Sequence, residues 1–240
     1  MDNSIYIALS RQNTLFRDME VSATNLANVT TPGYSAEKLL FSDYLNKDNN
    51  RKDAYANDVS DYRDLSQGSV HMTENPLDMA ITGPGYFMVE TPFGTRYTKA
   101  GNFQINADGT LMTTQGYPVL GGDGGRITIP AGTKKVDING AGQITADGND
   151  VGEVGISEFK NEQAMTRLGD SLYNTKEAAT PAENSRIVQG GLQSSNVNPI
   201  SELVRVQEVS RSVSDSAQFI STIYDLQSKI ADAYSKPLSA

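Results

Sequence analysis

The chain has 240 residues, of which 38% are hydrophobic and 20% charged, with a formal net charge of −9. This length allows one domain or two small ones, and the composition is more polar than average without reaching the range of disordered chains. The acidic charge, with no cluster of basic residues, argues against a nucleic-acid ligand. The absence of cysteine excludes disulfides, thiolate metal sites and a cysteine nucleophile.

The sequence shows no segment that targets it to a membrane. No apolar run reaches the roughly eighteen residues that a membrane span requires. The N-terminus lacks a basic stretch followed by an apolar core, which a cleaved signal peptide requires. We therefore expect that, if the chain is exported, it uses a route without a cleaved signal peptide.

The first predicted element is a helix over residues 4–28. Its apolar stripe follows the alternating three-four spacing of a coiled-coil seam. The stripe consists of Ile5, Leu9, Gln12, Phe16, Met19, Ala23 and Leu26. The helix should end at Asn28, because Pro32 disfavours helical geometry for the residue before it and Gly33 supplies a turn.

The middle of the chain predicts a β-rich domain between two connectors. Residues 33–69 read as an extended connector with a polar loop at 46–53. Residues 70–159 combine short apolar strands with Gly, Asn and Asp turns, which is typical of a compact all-β domain. Residues 160–191 are polar again and read as a second connector.

The last predicted element is a long helix over residues 196–234. Asn198 can cap its N-terminus, and Pro199 fits the first helical position. A seam with three-four spacing follows, made of Val206, Val209, Val213, Ser216, Ile220, Ile223, Gln227, Ile230 and Tyr234. A helix of about 35 residues spans on the order of 50 Å, more than a small domain can cover, so a helical partner is expected.

These elements predict an α+β fold in which the two terminal helices form a coiled-coil-like bundle and an all-β domain is inserted between them in the sequence. The helical domain would comprise residues 1–32 and 192–240. Some apolar residues, Leu203 among them, lie outside the stripes, so each helix is expected to contact more than one neighbour.

The sequence contains no constellation of catalytic residues. His71 is the only histidine, which argues against a Ser-His-Asp site and against a multi-histidine metal site. The Asp-Gly pairs lack the ligand spacing of a calcium loop, and the glycines at 121–125 lack the following Lys-Ser/Thr of a phosphate loop. We therefore predict no enzyme activity, cofactor, metal or small-molecule substrate. A pocket with two facing carboxylates would revive a hydrolase interpretation.

Three motifs, in order along the chain, resemble those of bacterial flagellar rod and hook proteins. Residues 25–34 (NLANVTTPGY) resemble the N-terminal signature of that family. Residues 75–87 (NPLDMAITGPGYF) with 95–103 (TRYTKAGNF) resemble its central β-domain motif. Residues 189–199 (QGGLQSSNVNP) resemble its C-terminal signature. The chain length and the short 35–66 segment are most similar to the proximal-rod members.

The resemblance implies a structural subunit of the flagellar rod, which transmits torque from motor to hook. It implies export through the flagellar type III apparatus and assembly in the periplasmic part of the basal body. The implied partners are further copies of the chain and neighbouring proximal-rod and distal-rod proteins. Subunits joined head-to-tail by a rotation that does not close would form a helical tube through the terminal helices. The alternative is a secreted, β-rich, adhesin-like binding module that its helices merely oligomerise.

The helical seams and the matched motifs together predict which residues mediate assembly. These residues are Ile5, Leu9, Phe16, Met19, Asn25, Leu26, Asn28, Pro32, Gly33, Tyr34, Asn196, Asn198, Pro199, Leu203, Val206, Val213, Ile220, Ile223 and Ile230.

Overall fold

The structure, a computed structural model, describes residues 2–48, 51–182 and 184–235. The chain divides into two compact units. The helical unit contains both terminal helices and residues Glu37–Arg63, and the β-rich unit comprises Asn28–Ala36 and Asp64–Val197. The prediction of an α+β chain with two terminal helices and a β-rich middle is confirmed.

The two helices of the helical unit are α1 (Asp2–Ala27) and α2 (Pro199–Ser235). Asn198 caps α2 as the sequence predicts, because its Oδ1 accepts hydrogen bonds from the N–H groups of Ile200 (3.0 Å) and Ser201 (3.3 Å). These donors have no partner within the helix, so the cap satisfies them.

A long β-hairpin completes the helical unit. Strands β1 (Glu37–Asp48) and β2 (Arg51–Arg63) pair antiparallel, with Glu37 opposite Arg63. The predicted connector is therefore wrong over residues 37–63, as is the predicted loop at 46–48 and 51–53; residues 49 and 50 lie outside the described residues. This segment is polar, so its sequence lacks the apolar alternation that predicts a strand. The two strands nevertheless satisfy the hydrogen-bonding N–H and C=O groups of their backbones by pairing with each other.

The described part of the β-rich unit contains fifteen short strands. They are β3 (Val70–Met72), β4 (Met79–Thr82), β5 (Tyr86–Thr91), β6 (Gly94–Thr98), β7 (Phe103–Ile105), β8 (Leu111–Thr113), β9 (Val136–Ile138), β10 (Gln143–Ala146), β11 (Asn149–Glu153), β12 (Ile156–Glu158), β13 (Thr166–Arg167), β14 (Leu172–Asn174), β15 (Thr180–Pro181), β16 (Arg186–Gln189) and β17 (Gly191–Gln193).

The largest sheet of this unit has six strands in the order β13-β14-β6-β5-β12-β15. Smaller sheets pair β11-β10-β9, β16-β4, β17-β3 and β7-β8. Apolar side chains from β4, β5, β7, β8 and β10 meet in one core, where Phe87 and Phe103 pack edge to face with ring centroids 5.1 Å apart. The edge-to-face geometry is the one that aromatic quadrupoles favour.

Residues 160–191 do not form the second predicted connector. They contribute β13, β14 and β15 to the six-stranded sheet, and β16 pairs with β4. Leu172, Tyr173 and Ile187 are buried. Strands of two to four residues are too short to show an alternating pattern in the sequence, which explains the error.

Candidate assembly interface

The seam predicted on α2 is the least exposed face of that helix. Val209 is buried, and seven other predicted seam positions are half-buried: Val206, Val213, Ser216, Ile220, Ile223, Gln227 and Ile230. The side chain of Tyr234, the last predicted seam position, lies outside what the structure describes. Most of the residues between them are exposed. The three-four spacing thus identified the inward face of α2 along its described length.

The inward face of α1 is shifted by one sequence position from the predicted apolar stripe. Ala8, Asp18, Ser22 and Asn25 are buried, whereas Leu9 and Phe16 of the predicted stripe are 46% and 50% exposed. Small and polar side chains therefore occupy the protected face of α1, and two of its largest apolar side chains point to solvent. That Leu9 and Phe16 mediate assembly stays a prediction.

Polar contacts join α1 to α2. The Nε of Arg205 donates to Oδ1 of Asp18 at 2.8 Å, and this hydrogen bond raises the pKa of the Arg205 guanidinium above its ordinary value. Nδ2 of Asn25 lies 3.5 Å from Oε1 of Glu202, at the long end of the hydrogen-bond range. The apolar pattern missed Asp18, Arg205 and Glu202, because a search for apolar periodicity passes over charged residues.

Exposed apolar side chains are concentrated on the two helices. Among the described residues, nine of the fifteen exposed large apolar side chains belong to α1 or α2. These nine are Tyr6, Leu9, Phe16, Ile200, Leu203, Val204, Phe219, Tyr224 and Leu226. Single exposed apolar residues are normal on a protein surface, whereas a concentration of them on two helices needs an explanation.

A groove lies between α1 and α2, and Phe219 is the one of these nine side chains that lines it. It has a volume of about 490 Å³ and is lined by Ile7, Ala8, Arg11, Ser212, Asp215, Ser216 and Phe219. Its lining is mixed, with one basic and one acidic side chain beside apolar groups. The groove is thus an opening in the packing of the two helices toward the middle of α2.

The turn that follows α1 belongs to the β-rich unit and is tightly constrained. Gly33 has a φ of +68°, and a Cβ built on it would lie 2.4 Å from the carbonyl carbon of Lys99. Its N–H donates to the carbonyl oxygen of Gln193 at 2.8 Å. Tyr34 is buried, and the guanidinium of Arg167 stacks 3.9 Å from its ring centroid. Only glycine fits at position 33 without strain.

Asn196 joins three backbone segments of the β-rich unit. Its Oδ1 accepts from the N–H of Ala36 at 2.7 Å, and its Nδ2 donates to the carbonyl oxygens of Asp64 and Ser66, each at 2.9 Å. Val29, Tyr34, Ala36 and Val197 form a small apolar cluster beside it. One side-chain amide thus fixes the points where the chain enters and leaves residues 37–63.

The remaining predicted assembly residues occupy intermediate or exposed positions. Ile5, Met19, Leu26, Asn28 and Pro32 are half-buried. Asn28 contacts Thr31, whose Oγ1 donates to Oδ1 of Asn28 at 3.1 Å. Pro199 and Leu203 are exposed on the first turns of α2. The residues are therefore divided between the faces of the two helices and the turn that follows α1.

Neither a metal site nor a membrane span is found where the structure describes the chain. Residues 2–48, 51–182 and 184–235 contain no group of three His, Asp or Glu side chains arranged to hold a metal ion. None of the helices in the same ranges is long and apolar enough to cross a membrane.

Comparison with known proteins identifies the family. The profile described as "Flagellar hook protein FlgE/F/G D1 domain" matches residues 80–146. The flagellar basal-body rod protein FlgF of Caulobacter vibrioides is 32% identical over 243 residues, which cover 98% of this chain and 99% of the relative. FlgF of Mesorhizobium japonicum is 32% identical over 90% of this chain and 91% of its own length.

A related rod protein is similar over most of the chain as well. The flagellar basal-body rod protein FlgG of Bacillus subtilis is 30% identical over 92% of this chain and 95% of its own length. The matches therefore extend over both terminal helices and the β-rich unit. The chain belongs to the flagellar basal-body rod protein family and, within it, is most like the FlgF proteins.

Proposed function

We propose that the chain is a structural subunit of the proximal rod, which joins its neighbours through α1 and α2 and transmits torque from motor to hook. Its partners would be further copies of itself and other rod proteins, and it would reach the periplasm through the flagellar type III export apparatus. The observation that carries this proposal is the apolar surface left open on both helices of a chain that belongs to the rod family.

The open surface calls for partners in a helical arrangement. Leu9 and Phe16 lie on a face of α1 that α2 does not cover, and Phe219 and Leu226 lie outside the inward seam of α2. Two separate uncovered faces allow contact with more than one neighbour, as a continuous assembly requires and a closed pair does not. The predicted coiled-coil-like bundle is then a bundle between subunits.

The β-rich unit has the character of a self-contained module. Its core is formed by buried side chains from within residues 79–187, and its size is sufficient for an independent core. We propose that it forms an outer layer that stiffens the rod. The secreted binding module that we considered as an alternative gains no support from the rod proteins named above.

The test is a pair of substitutions on the open face of α1. The double variant Leu9→Ser/Phe16→Ser should change the stability of the free chain by no more than about 0.5 kcal/mol per site, because both side chains are already half exposed. It should abolish motility when it replaces the natural chain in a deletion strain, and it should be absent from purified basal bodies.

The matched control is Phe93→Ser, which removes an apolar side chain that is 85% exposed in the β-rich unit. This variant should restore motility. The proposal fails if Leu9→Ser/Phe16→Ser enters basal bodies as well as the natural chain does.

A further inference from the structure

Strand β3 is an open edge of the β-rich unit. Among the described strands it pairs with β17 alone, and all three of its residues are exposed. Both strands belong to the β-rich unit. A strand at an edge presents N–H and C=O groups to which the backbone of another chain can bond.

The hydrogen-bonding pattern shows which backbone groups of β3 are open. The N–H of Thr73 and the carbonyl oxygen of Ser69 bond to residues that directly flank β17, at 2.7 Å and 2.8 Å. Every second residue of an antiparallel strand bonds to the same neighbour, so the odd-numbered residues face β17. The N–H and C=O groups of Val70 and Met72 therefore point toward the open edge.

Val70 and Met72 also carry apolar side chains on one face of the strand. These side chains are 38% and 66% exposed. The Cγ1 of Val70 and the Sδ of Met72 lie 3.1 Å and 3.4 Å from the position that a Cβ on Gly191 of β17 would occupy. Because Gly191 has no side chain to cover them, apolar surface lies open beside the open backbone groups.

The edges of the two larger sheets are protected, in contrast to β3. In the six-stranded sheet, edge strand β13 contains Arg167 and edge strand β15 contains Pro181. In the three-stranded sheet, β9 contains Asp137 and β11 contains Asp150 and Glu153. Charged residues and proline on an edge strand disfavour pairing with another chain. Strand β3 contains no proline and no Asp, Glu, Lys or Arg.

The chemistry of this edge specifies the kind of partner that fits it. Donor and acceptor pairs at every second residue are satisfied by an extended backbone, whereas a helix has already bonded its own N–H and C=O groups internally. Residues 65–73 contain no Asp, Glu, Lys or Arg, although 20% of the chain is charged. The matching partner is therefore an extended, uncharged segment with apolar side chains on one face.

We propose that β3 accepts a strand from a neighbouring rod subunit, which bonds to the backbone groups of Val70 and Met72 and extends the β17-β3 sheet across the boundary between subunits. This inference rests on the proposed function, because the rod supplies the neighbour. Strand addition gives a directional contact, since main-chain hydrogen bonds provide affinity and alternate side chains provide specificity. The β-rich units would then be joined in a fixed register, in addition to the contacts of the helices.

The first test is the substitution Met72→Pro in the full-length chain. It removes the N–H that faces the open edge and none of the bonds to β17, and proline is tolerated at such an edge position. The free variant should therefore keep the circular dichroism spectrum of the natural chain. Its amount in purified basal bodies should fall roughly tenfold or more, because a carbonyl group of the added strand loses its donor.

The matched control is Met72→Ala, which removes the same side chain but keeps the backbone N–H. This variant should enter basal bodies in greater amount than Met72→Pro does. The difference between the two variants isolates the backbone hydrogen bond from the apolar contact of the side chain.

A second measurement does not depend on the folding of the proline variant. A photoreactive p-benzoylphenylalanine replaces Met72, and purified basal bodies that contain the chain are irradiated and analysed by mass spectrometry. The expected product is a cross-link to an uncharged extended segment of a rod subunit. The same group in place of Phe93, in the same unit, should give no cross-link to another subunit.

Three results would overturn the inference. The first is incorporation of Met72→Pro in the same amount as Met72→Ala. The second is the absence of a cross-link from position 72 in irradiated basal bodies. The third is a dimer of the free natural chain in light scattering that Met72→Pro abolishes, because β3 would then pair two copies in a closed dimer.

Failure of the proposed function gives a different result. If the natural chain is absent from basal bodies, the proposed function fails and this inference fails with it, because no neighbour is supplied. If Leu9→Ser/Phe16→Ser is excluded from basal bodies but Met72→Pro enters them as Met72→Ala does, the proposed function stands and only the strand addition fails.

Discussion

At the scale of single residues, Gly33 shows why the turn after α1 has the sequence it has. Its positive φ favours glycine, and the peptide that joins Lys99 to Ala100 lies where a side chain would start. These two constraints are separable, because Gly116 has a φ of +90° and no atom within 4 Å of its Cβ position.

We therefore expect Gly33→Ala to destabilise the chain more than Gly116→Ala. Both variants carry the cost of a left-handed backbone, about 1–2 kcal/mol. Only Gly33→Ala adds a collision with backbone atoms that cannot move aside, which should cost roughly 1–3 kcal/mol more. Urea unfolding followed by the fluorescence of the eleven tyrosines measures both. Equal losses would mean that the turn relaxes away from Lys99.

Two asparagine side chains make long-range polar contacts, one near the C-terminal end of α1 and one just before the start of α2. Asn196 binds Ala36, Asp64 and Ser66, and Asn25 binds Glu37. The sequence placed both in the assembly set through the resemblance, and their contacts give a physical reason for it. Those contacts join residues more than ten positions apart, so no local pattern could have revealed them.

At the scale of elements, α2 was predictable and the inward face of α1 was not. The seam of α2 is apolar and periodic, so Val206, Val213 and Ile220 mark its inward face directly. The protected face of α1 consists of Ala8, Asp18, Ser22 and Asn25, which carry little apolar signal. Of the predicted apolar stripe, Leu9 and Phe16 lie on the side that solvent reaches in the single chain, whereas Ile5, Met19 and Leu26 are half-buried.

The start of α2 offers a test at this scale. Asn198→Ala removes the acceptor for the N–H groups of Ile200 and Ser201 and should lower the stability of the helix by about 1 kcal/mol. Asn198→Asp keeps an acceptor there and should retain the stability. Far-ultraviolet circular dichroism during thermal unfolding measures the difference. Equal midpoints for the two variants would show that the cap does not hold the first turn.

The hairpin was missed for a different reason. Leu39 of β1 and Arg63 of β2 are buried, and the prediction of a connector followed from the polar run that begins at Asn46. The backbone pairing of β1 with β2 does not need apolar alternation, and the bonds from Asn25 reach Glu37 across twelve positions. A prediction from the local apolar pattern includes neither the backbone pairing nor these long-range hydrogen bonds.

At the scale of the whole molecule, the chain consists of a unit with a closed apolar core and a unit whose apolar surface is open. The β-rich unit buries Phe87, Val89 and Leu111 almost completely. The helical unit leaves Phe16 and Phe219 half exposed. Burial of that surface against neighbouring subunits would supply the hydrophobic driving force for assembly.

The most direct measurement of this account is cysteine labelling, because the natural chain has no cysteine. Single variants Phe16→Cys, Phe219→Cys and Phe93→Cys place a thiol at positions that are 50%, 55% and 85% exposed in the single chain. All three should react readily with a maleimide in the free chain.

In purified basal bodies, the thiols at positions 16 and 219 should become protected, while the thiol at position 93 stays reactive and shows that the reagent reaches the incorporated chain. Protection at both helix positions is the result that the account predicts. Labelling of positions 16 and 219 in basal bodies at the rate seen in the free chain would contradict it, because the open faces of α1 and α2 would then not be the surfaces that join the subunits.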